Sequence, residues 1–566
     1  MDYDVAIVGG GPAGSTLGAL LKKYHPHLGI AIFEREQFPR EHVGESQLPP
    51  IGKILDEMGC WDKVEAANFP IKIGATYRWG TSPELWDFEF LPIAQFRDEP
   101  RPARFINQRQ QTAFQVDRAA YDHILLEHAA ELGCEVFYRS AATPVIEQPG
   151  EIASLSLSDG RTVTARYYVD AAGGTGVLRR PLGVEVDVPT SLKNVAFWSY
   201  WDNAEWAVEI GTGATRVQVM SIGSGWIWFI PLSPTRTSIG LVCPAAYYKE
   251  SGLSPEGIYL ESLPKDPRIA GLIRNATRED KVYGTKDWSF LAQQSAGKNW
   301  FLAGESVGFA DPILAAGMTL AQTGARELAY IIPALLRDGT ENHWLKQWYE
   351  DTQKKRIGQH IRFADFWYSS NGQFTDLQAY TSEIAKDAGL QMNPQKAFQW
   401  LGTGGFTNDT TGQAGIGDLD LAGLKQITQK FTRGTVSWQL NKYNRFKLNL
   451  RNATRGQAPL FENGRITADI SYSRGQKTLV LSGMYALLVE VLKKHKTAQS
   501  IYEALHSYFQ QRHDLGAPVK LLVHHALQAL EVLVLEGWVQ GSVKPGLPYL
   551  KLETPVEGDI IHTNRD

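Results

Sequence analysis

The chain alternates between two hydrophobic rhythms. Near the N-terminus the run Asp4-Val5-Ala6-Ile7-Val8 reads as a strand buried on both faces. A glycine turn follows, then a helical period over about 13–24 and a second strand over 29–34, which together make a βαβ unit. Residues 70–80 and 215–242 instead alternate with period two and are rich in aromatics, predicting an antiparallel sheet. A helix over 118–132 and an α/β stretch through residue 176 lie between them, and the α/β rhythm returns with a strand over 300–303 and a helix over 318–336. Nucleotide-type segments are thus interrupted by sheet segments at about 68–110 and 185–285, so residues 1–336 read as two interleaved lobes.

After residue 336 the pattern changes. Residues 341–400 are helical and aromatic, and residues 402–420, rich in Gly, Asp and Thr, read as a long loop. We take 337–420 as one region, a helical lid and its loop, and 421–566 as another. In the latter, amphipathic patterns near 480–494, 497–511 and 517–537, with a Gly/Pro-bearing strand pair to about 553, resemble a small winged-helix-like module. The fold class expected is therefore α/β, a Rossmann-type lobe interleaved with an antiparallel sheet lobe, followed by a mainly helical C-terminal region.

Composition narrows this picture. Of 566 residues, 43% are hydrophobic and 21% charged, which gives a well-cored globular protein rather than a disordered one. A net charge of −4 argues against a general nucleic-acid binder. Cys60, Cys134 and Cys243 are scattered, His524-His525 sit in a helical pattern, and no metal-ligand spacing appears, so no metal is expected. The absence of a leader-like segment or an apolar run of membrane length points to a cytoplasmic protein without membrane contact.

Gly9, Gly11 and Gly14, with Pro12 and Ala13 between them, form G-x-G-x-x-G between strand and helix, and Glu34 ends the next strand twenty residues beyond Gly14. Glycines there permit a tight turn and close approach of a pyrophosphate to a helix N-terminus, and an acid at that distance binds a ribose diol. A dinucleotide site follows.

Elsewhere, Gly225-Trp226-Ile227-Trp228-Phe229-Ile230-Pro231 carries two indoles at spacing two. In a strand both lie on one face, with Ile227 and Phe229 on the other, and Pro231 ends the strand by removing a donor.

Several motifs, in order, carry a resemblance. Gly304-Glu305-Ser306, before Asp311-Pro312, is similar to the second FAD fingerprint of aromatic-hydroxylase-like flavoproteins, where the usual residue is Asp and its carboxylate meets the flavin ribitol. Val116-Asp117-Arg118 matches the same group, which places the arginine near the cofactor. Trp226-Ile227-Trp228-Phe229-Ile230-Pro231 matches the W-x-W-x-I-P signature of flavin-dependent halogenases; so do Gly44-Glu45-Ser46 and Lys72-Ile73-Gly74-Ala75-Thr76-Tyr77-Arg78-Trp79-Gly80. Residues 1–380 resemble that family.

The resemblance implies a two-component enzyme. Reduced FAD, delivered by a separate flavin reductase, and O₂ convert chloride or bromide to hypohalous acid, which Lys72 relays to an electron-rich ring. It implies a cofactor site at Gly9, Gly11, Pro12, Ala13, Gly14, Glu34, Gly44, Glu45, Ser46, Arg118, Gly304, Glu305 and Asp311. It also implies a halide held at Ala316 and Gly317, and a tunnel partition of Trp226, Trp228, Ile230 and Pro231. Relatives acting on free tryptophan carry a glutamate beside the loop matching 312–317, where this chain has Leu314 and Ala315. An activated phenol or pyrrole needs less help from a base, so such a substrate is expected, free or tethered to a carrier protein, in natural-product biosynthesis. An aromatic monooxygenase on the same fold is the alternative reading.

Overall fold

The structure is a computed structural model. It describes residues 2–387, 407–408, 414–416, 419–432, 436–512, 519–552 and 561–564, apart from positions 92, 190–191, 212, 287, 339–341 and 476. Its contacts divide the chain into two compact units, Met1–Leu390 with Ile560–Asp566, and Gln391–Asp559.

In the first unit the expected βαβ start is present. Strand Tyr3–Val8 leads through the glycine turn into helix Pro12–Tyr24 and strand Ile30–Phe33. These strands belong to a parallel five-stranded sheet in the order Trp300–Leu302, Ala165–Asp170, Tyr3–Val8, Ile30–Phe33, Glu135–Phe137. Helices Pro12–Tyr24, Arg118–Glu131 and Gly317–Asp338 pack together beside it. Parallel strands are covered on both faces, which explains why Val5, Ala6 and Ile7 are fully buried in succession.

The second sheet has ten strands. Its main path runs Thr277–Arg278, Asn194–Asp202, Arg236–Pro244, Gly225–Pro231, Ala214–Ile222, Ile71–Arg78, Leu85–Glu89 and Ile561–Asn564. It is not wholly antiparallel as expected, because Ala214–Ile222 pairs in parallel with Ile71–Arg78. This seam joins the two sequence segments that build the sheet, and its strands are not neighbours along the chain, so no hairpin imposes antiparallel pairing. One face of the sheet is ordinary core: Ile227, Phe229, Ile239, Leu241 and Met220 pack with Ile258, Tyr259, Leu263 and Ile269. Helix Trp344–Ser369 brings Trp367 and Tyr368 against Trp79.

In the second unit, helices Gly483–Lys494, Ala498–Gln510 and Val519–Leu535 match the three amphipathic patterns. The strand pair is built differently from expectation. Strand Val539–Ser542 pairs with the upstream strand Arg445–Leu448, and Arg445 also bridges to Thr497 between two of the helices. A three-stranded meander, Thr454–Glu462, Arg465–Arg474 and Lys477–Val480, was not expected from the sequence. Of the stretch read as a loop, the described parts are short strands at Thr407–Asn408, Ala414–Ile416 and Leu419–Asp420; the rest lies outside the described residues. Among the described residues no helix is long and apolar enough to cross a membrane.

Candidate active site

Two cavities meet in the first unit. One, about 540 Å³, lies over the ends of the parallel strands and is lined by Gly9, Gly11, Pro12, Ala13, Glu34 and Arg118, among others. Its glycines have separate tasks. Gly9 has φ +107° and approaches so closely that a Cβ would lie 2.5 Å from the Ala171 carbonyl oxygen. At Gly14 a Cβ would lie 2.0 Å from the Gly9 carbonyl oxygen, so this residue lets the helix leave the turn and sits behind the lining. At Gly11 a Cβ would meet nothing nearer than Arg40 at 3.6 Å, so its side faces open space at the N-terminus of helix Pro12–Tyr24. That is the cradle a pyrophosphate requires. Glu34 is buried and accepts hydrogen bonds from the Gly10 and Glu36 amides, both at 2.8 Å. These bonds hold its side chain at the place a ribose diol would reach.

Arg118 starts helix Arg118–Glu131 and lines both cavities. It forks onto Asp122 with bonds of 2.8 and 2.9 Å and donates to the carbonyl oxygens of Val43 and Gly44. It therefore fastens the Gly44-Glu45-Ser46 turn to the dinucleotide lobe. Burial works against its charge, but Asp122, Glu305 and Glu45 more than offset this. Glu305 also lines both cavities; burial raises its pKa, and Arg118 opposes the rise. Gly317, at the head of the 22-residue helix Gly317–Asp338, is shared by both cavities too, so the positive end of that helix dipole faces their junction.

The other cavity, about 770 Å³, lies against the large sheet. Cross-strand register explains its lining. Trp226, Val242 and Ala196 form one row; Trp228, Gly240 and Trp198 the next; Ile230, Ser238 and Tyr200 a third. Trp226, Trp228, Ile230, Trp198 and Ala196 line the cavity, while Ile227 and Phe229 point into the core behind, as the alternation predicted. Gly240 makes the middle row possible. A Cβ there would lie 2.1 Å from the Trp228 ring, so the indole lies flat across its neighbouring strand, with Nε1–H donating to Ser238 at 3.1 Å. The two indoles sit 6.0 Å apart between ring centroids.

Lys72 is 1% exposed, lines this cavity, and donates to the Gln47 carbonyl oxygen at 3.0 Å, with Nζ 5.1 Å from the Phe90 ring centre. Its direction depends on a bulge. Tyr77 lines the same cavity, yet a spacing of five would place two residues on opposite faces of a regular strand. The register slips between Thr215 and Arg216: Thr215 pairs Lys72, but Arg216 pairs Gly74, leaving Ile73 extra. Gly74 has φ +157°, and a Cβ there would lie 2.0 Å from the Phe88 carbonyl oxygen. On the opposite face, Arg216 reaches across the bare glycine to Asp87 and to Glu89 Oε1, the latter at 3.2 Å, and all three are buried. This ion pairing clamps the strands on either side of the bulge.

Glu45 completes the lining. It is 1% exposed and stands among the residues that line the sheet cavity. Burial pushes its pKa up to about 7, against the nearby Ser238 and Tyr200 hydroxyls and Arg118, which pull it down. Gly44 and Ser46 line the same cavity, and Gly304 lines the other.

Four expected site residues stand apart from the lining. Gly14, Pro231, Ala316 and Asp311 are buried behind it, and the Asp311 carboxylate accepts from Ile313 N–H, Trp288 Nε1–H and Tyr368 O–H. Sequence reasoning missed Gly240, Arg216 and Trp198, and placed Tyr368 only within the aromatic helices expected to line or cover the site. Only Trp198, in a period-two aromatic run, left a readable signal. Among the described residues no His, Cys, Asp or Glu cluster could hold a metal, and the three cysteines are buried and free.

A glycine cradle at a helix N-terminus, a buried acid at the end of the second strand and a second glycine turn at Gly304 fit FAD, and this cleft opens onto a lysine-bearing aromatic chamber. That combination describes a flavoprotein-type cleft joined to a second, aromatic chamber. The chain matches the tryptophan halogenase family over residues 4–110 and 93–376, and it belongs to that family of flavin-dependent halogenases, enzymes that use FAD and a halide. It is 30% identical over 393 residues to a 1H-pyrrole-2-carbonyl-[peptidyl-carrier protein] chlorinase of Pseudomonas fluorescens, covering 66% of this chain and 85% of that one. It is 31% identical over 370 residues to a tryptophan 2-halogenase of Chondromyces crocatus, covering 64% and 66%. In fold it resembles the crystal structure of the flavin-dependent halogenase CmlS, with TM-score 0.71 and 24% identity over 99% of this chain and 100% of that one. The chondrochloren halogenase CndH follows at TM-score 0.58 and 24% identity, covering 77% and 98%.

Proposed function

We propose that this enzyme halogenates a phenolic or pyrrolic ring, free or tethered to a carrier protein, with Lys72 relaying the halogen and a separate reductase supplying reduced FAD. The observation that carries the reading is that Lys72 and the Trp226–Trp228–Ile230 row lie on one sheet face, lining a chamber that shares Arg118, Glu305 and Gly317 with the dinucleotide cleft. Bound reduced FAD supplies the two electrons with which O₂ oxidises halide to hypohalous acid. Every other task falls to the chain. Gly11 and the helix behind it receive the pyrophosphate, Glu34 the ribose, and Arg118 holds the turn that roofs the junction. The head of helix Gly317–Asp338 favours an anion such as halide where the chambers join.

The indoles bar a ring-sized substrate from the cofactor, while a hypohalous acid is small enough to pass. Lys72 is sequestered from solvent, so its amine or ammonium holds the oxidant away from water and presents it to the ring. Two features support an activated ring: no carboxylate side chain stands in segment 312–317, and Tyr77, Val217 and Val219 give the chamber an apolar wall. The test supplies FAD, NADH, a flavin reductase, O₂ and chloride or bromide, with free and carrier-bound phenols and pyrroles. Mass spectrometry then looks for the halogen isotope pattern. A hydroxylated product lacking halogen would overturn the proposal.

A further inference from the structure

The Asp311 carboxylate is 1% exposed and faces neither chamber, yet three of the groups that hydrogen-bond to it lead to a chamber wall, with Asn194 as a fourth. Trp288 lines the sheet cavity, and its Nε1–H donates to Oδ2 at 3.1 Å. Ile313 lines it too, and its N–H donates to Oδ1 at 3.0 Å, which caps the turn Pro312–Leu314. The third donor is the Tyr368 hydroxyl, at 3.2 Å from Oδ1, and this same hydroxyl accepts from Trp226 Nε1–H at 2.7 Å. A continuous chain therefore runs from one wall indole through Tyr368 and Asp311 into the loop at the head of helix Gly317–Asp338.

That loop needs outside support. Ala315, which lines the chamber, sits at φ +50°, a conformation that costs a non-glycine residue of order 1 kcal/mol or more. A buried carboxylate held by several donors tolerates little movement, since shifting a wall breaks a charge-assisted bond where water cannot replace it.

We infer that Asp311 is a positioning residue that locks the Trp226 side of the partition to the Pro312–Gly317 loop, so that oxidant leaving the cofactor side meets a gap of fixed width. Burial raises the Asp311 pKa to about 6, and the hydrogen bonds from Ile313, Trp288, Tyr368 and Asn194 work against that rise. The inference rests on the halogenation reading above, and its test separates the two.

The variants are Asp311→Asn and Tyr368→Phe, with Trp226→Phe and Trp288→Phe to assign signals. Indole N–H resonances are followed in the ¹⁵N-tryptophan-labelled, cofactor-free protein. Asp311→Asn is expected to move the Trp226 signal, although the two residues do not touch. Tyr368→Phe is expected to move the Trp288 signal less than it moves that of Trp226. With FAD added, both variants should yield about fivefold less halogenated product per flavin oxidised than the wild type, with more free peroxide. An unmoved Trp226 signal in Asp311→Asn, or an unchanged product yield in both variants, overturns the inference. If Asp311→Asn fails to fold, Tyr368→Phe, which loses one hydroxyl, decides by the same yield and by its effect on Trp226. If the wild type makes no halogenated product, the halogenation reading falls and the resonance arm alone judges the network.

Discussion

The two chambers are built from different materials. In the dinucleotide cleft glycine brings backbone to backbone: Gly9 against Ala171 and Gly14 against Gly9. In the sheet chamber glycine gives way to side chains: Gly240 lets Trp228 lie flat, and Gly74 lets Arg216 reach Glu89 while the bulge turns Lys72 inward. A backbone site recognises what every dinucleotide shares. A side-chain site can be reshaped one residue at a time, and it is where members of one family can part in substrate.

The contrast can be broken experimentally. If the sheet chamber alone performs the transfer, Lys72→Ala should lower halogenated product by about 100-fold or more while reduced-flavin oxidation continues. Parallel assays of product and flavin absorbance check this, and equal loss of both would mean that the chambers are not separable. Glu45, in the wall of the sheet chamber, should leave a signature in stability. The folded chain holds its proton to about pH 7, whereas the unfolded chain releases it near 4.5. Stability should therefore fall as pH rises through that window, by up to roughly 3 kcal/mol. Denaturant titrations from pH 5 to 8 should show a shallower fall in Glu45→Gln.

Gly240→Ala should displace the Trp228 ring at a cost of about 2 kcal/mol, lowering the melting temperature and the product yield per flavin without weakening FAD binding. Its counterpart, Gly11→Ala, should do the reverse. With open space around that position, folding stability should hold while FAD affinity, read by flavin fluorescence quenching, drops about tenfold, or about 1.4 kcal/mol.

The same contrast explains what could be read from the sequence. The cleft is local: Gly9 to Glu34 is one βαβ unit, so spacing alone placed its turn, helix and acid. The indole row was legible too, because period two fixes which side chains share a face. The bulge was not, since regular alternation puts Lys72 and Tyr77 on opposite faces and the extra residue appears only in the pairing with Thr215 and Arg216. Gly240 acquires its meaning from a ring on the next strand, and Tyr368 meets Trp226 across 142 positions. Asp311 lay within a recognised motif, but a motif does not say which way a carboxylate turns. Strand Arg445–Leu448 finds its partner at Val539–Ser542 only after a meander and three helices, a pairing that no local pattern signals.

The bulge at Ile73 gives this strand the character of a reading frame with a built-in shift. Everything on its C-terminal side is read in one phase and Lys72 in the other. One codon inserted between those for Thr215 and Arg216 would give Ile73 a partner and restore one phase throughout. Lys72, five positions from Tyr77, would then turn from the chamber toward the face that carries Arg216, and Tyr77 and the indoles would keep their places. On the halogenation reading proposed above, the relay is thus exposed to an in-frame insertion in a strand that carries none of the partition.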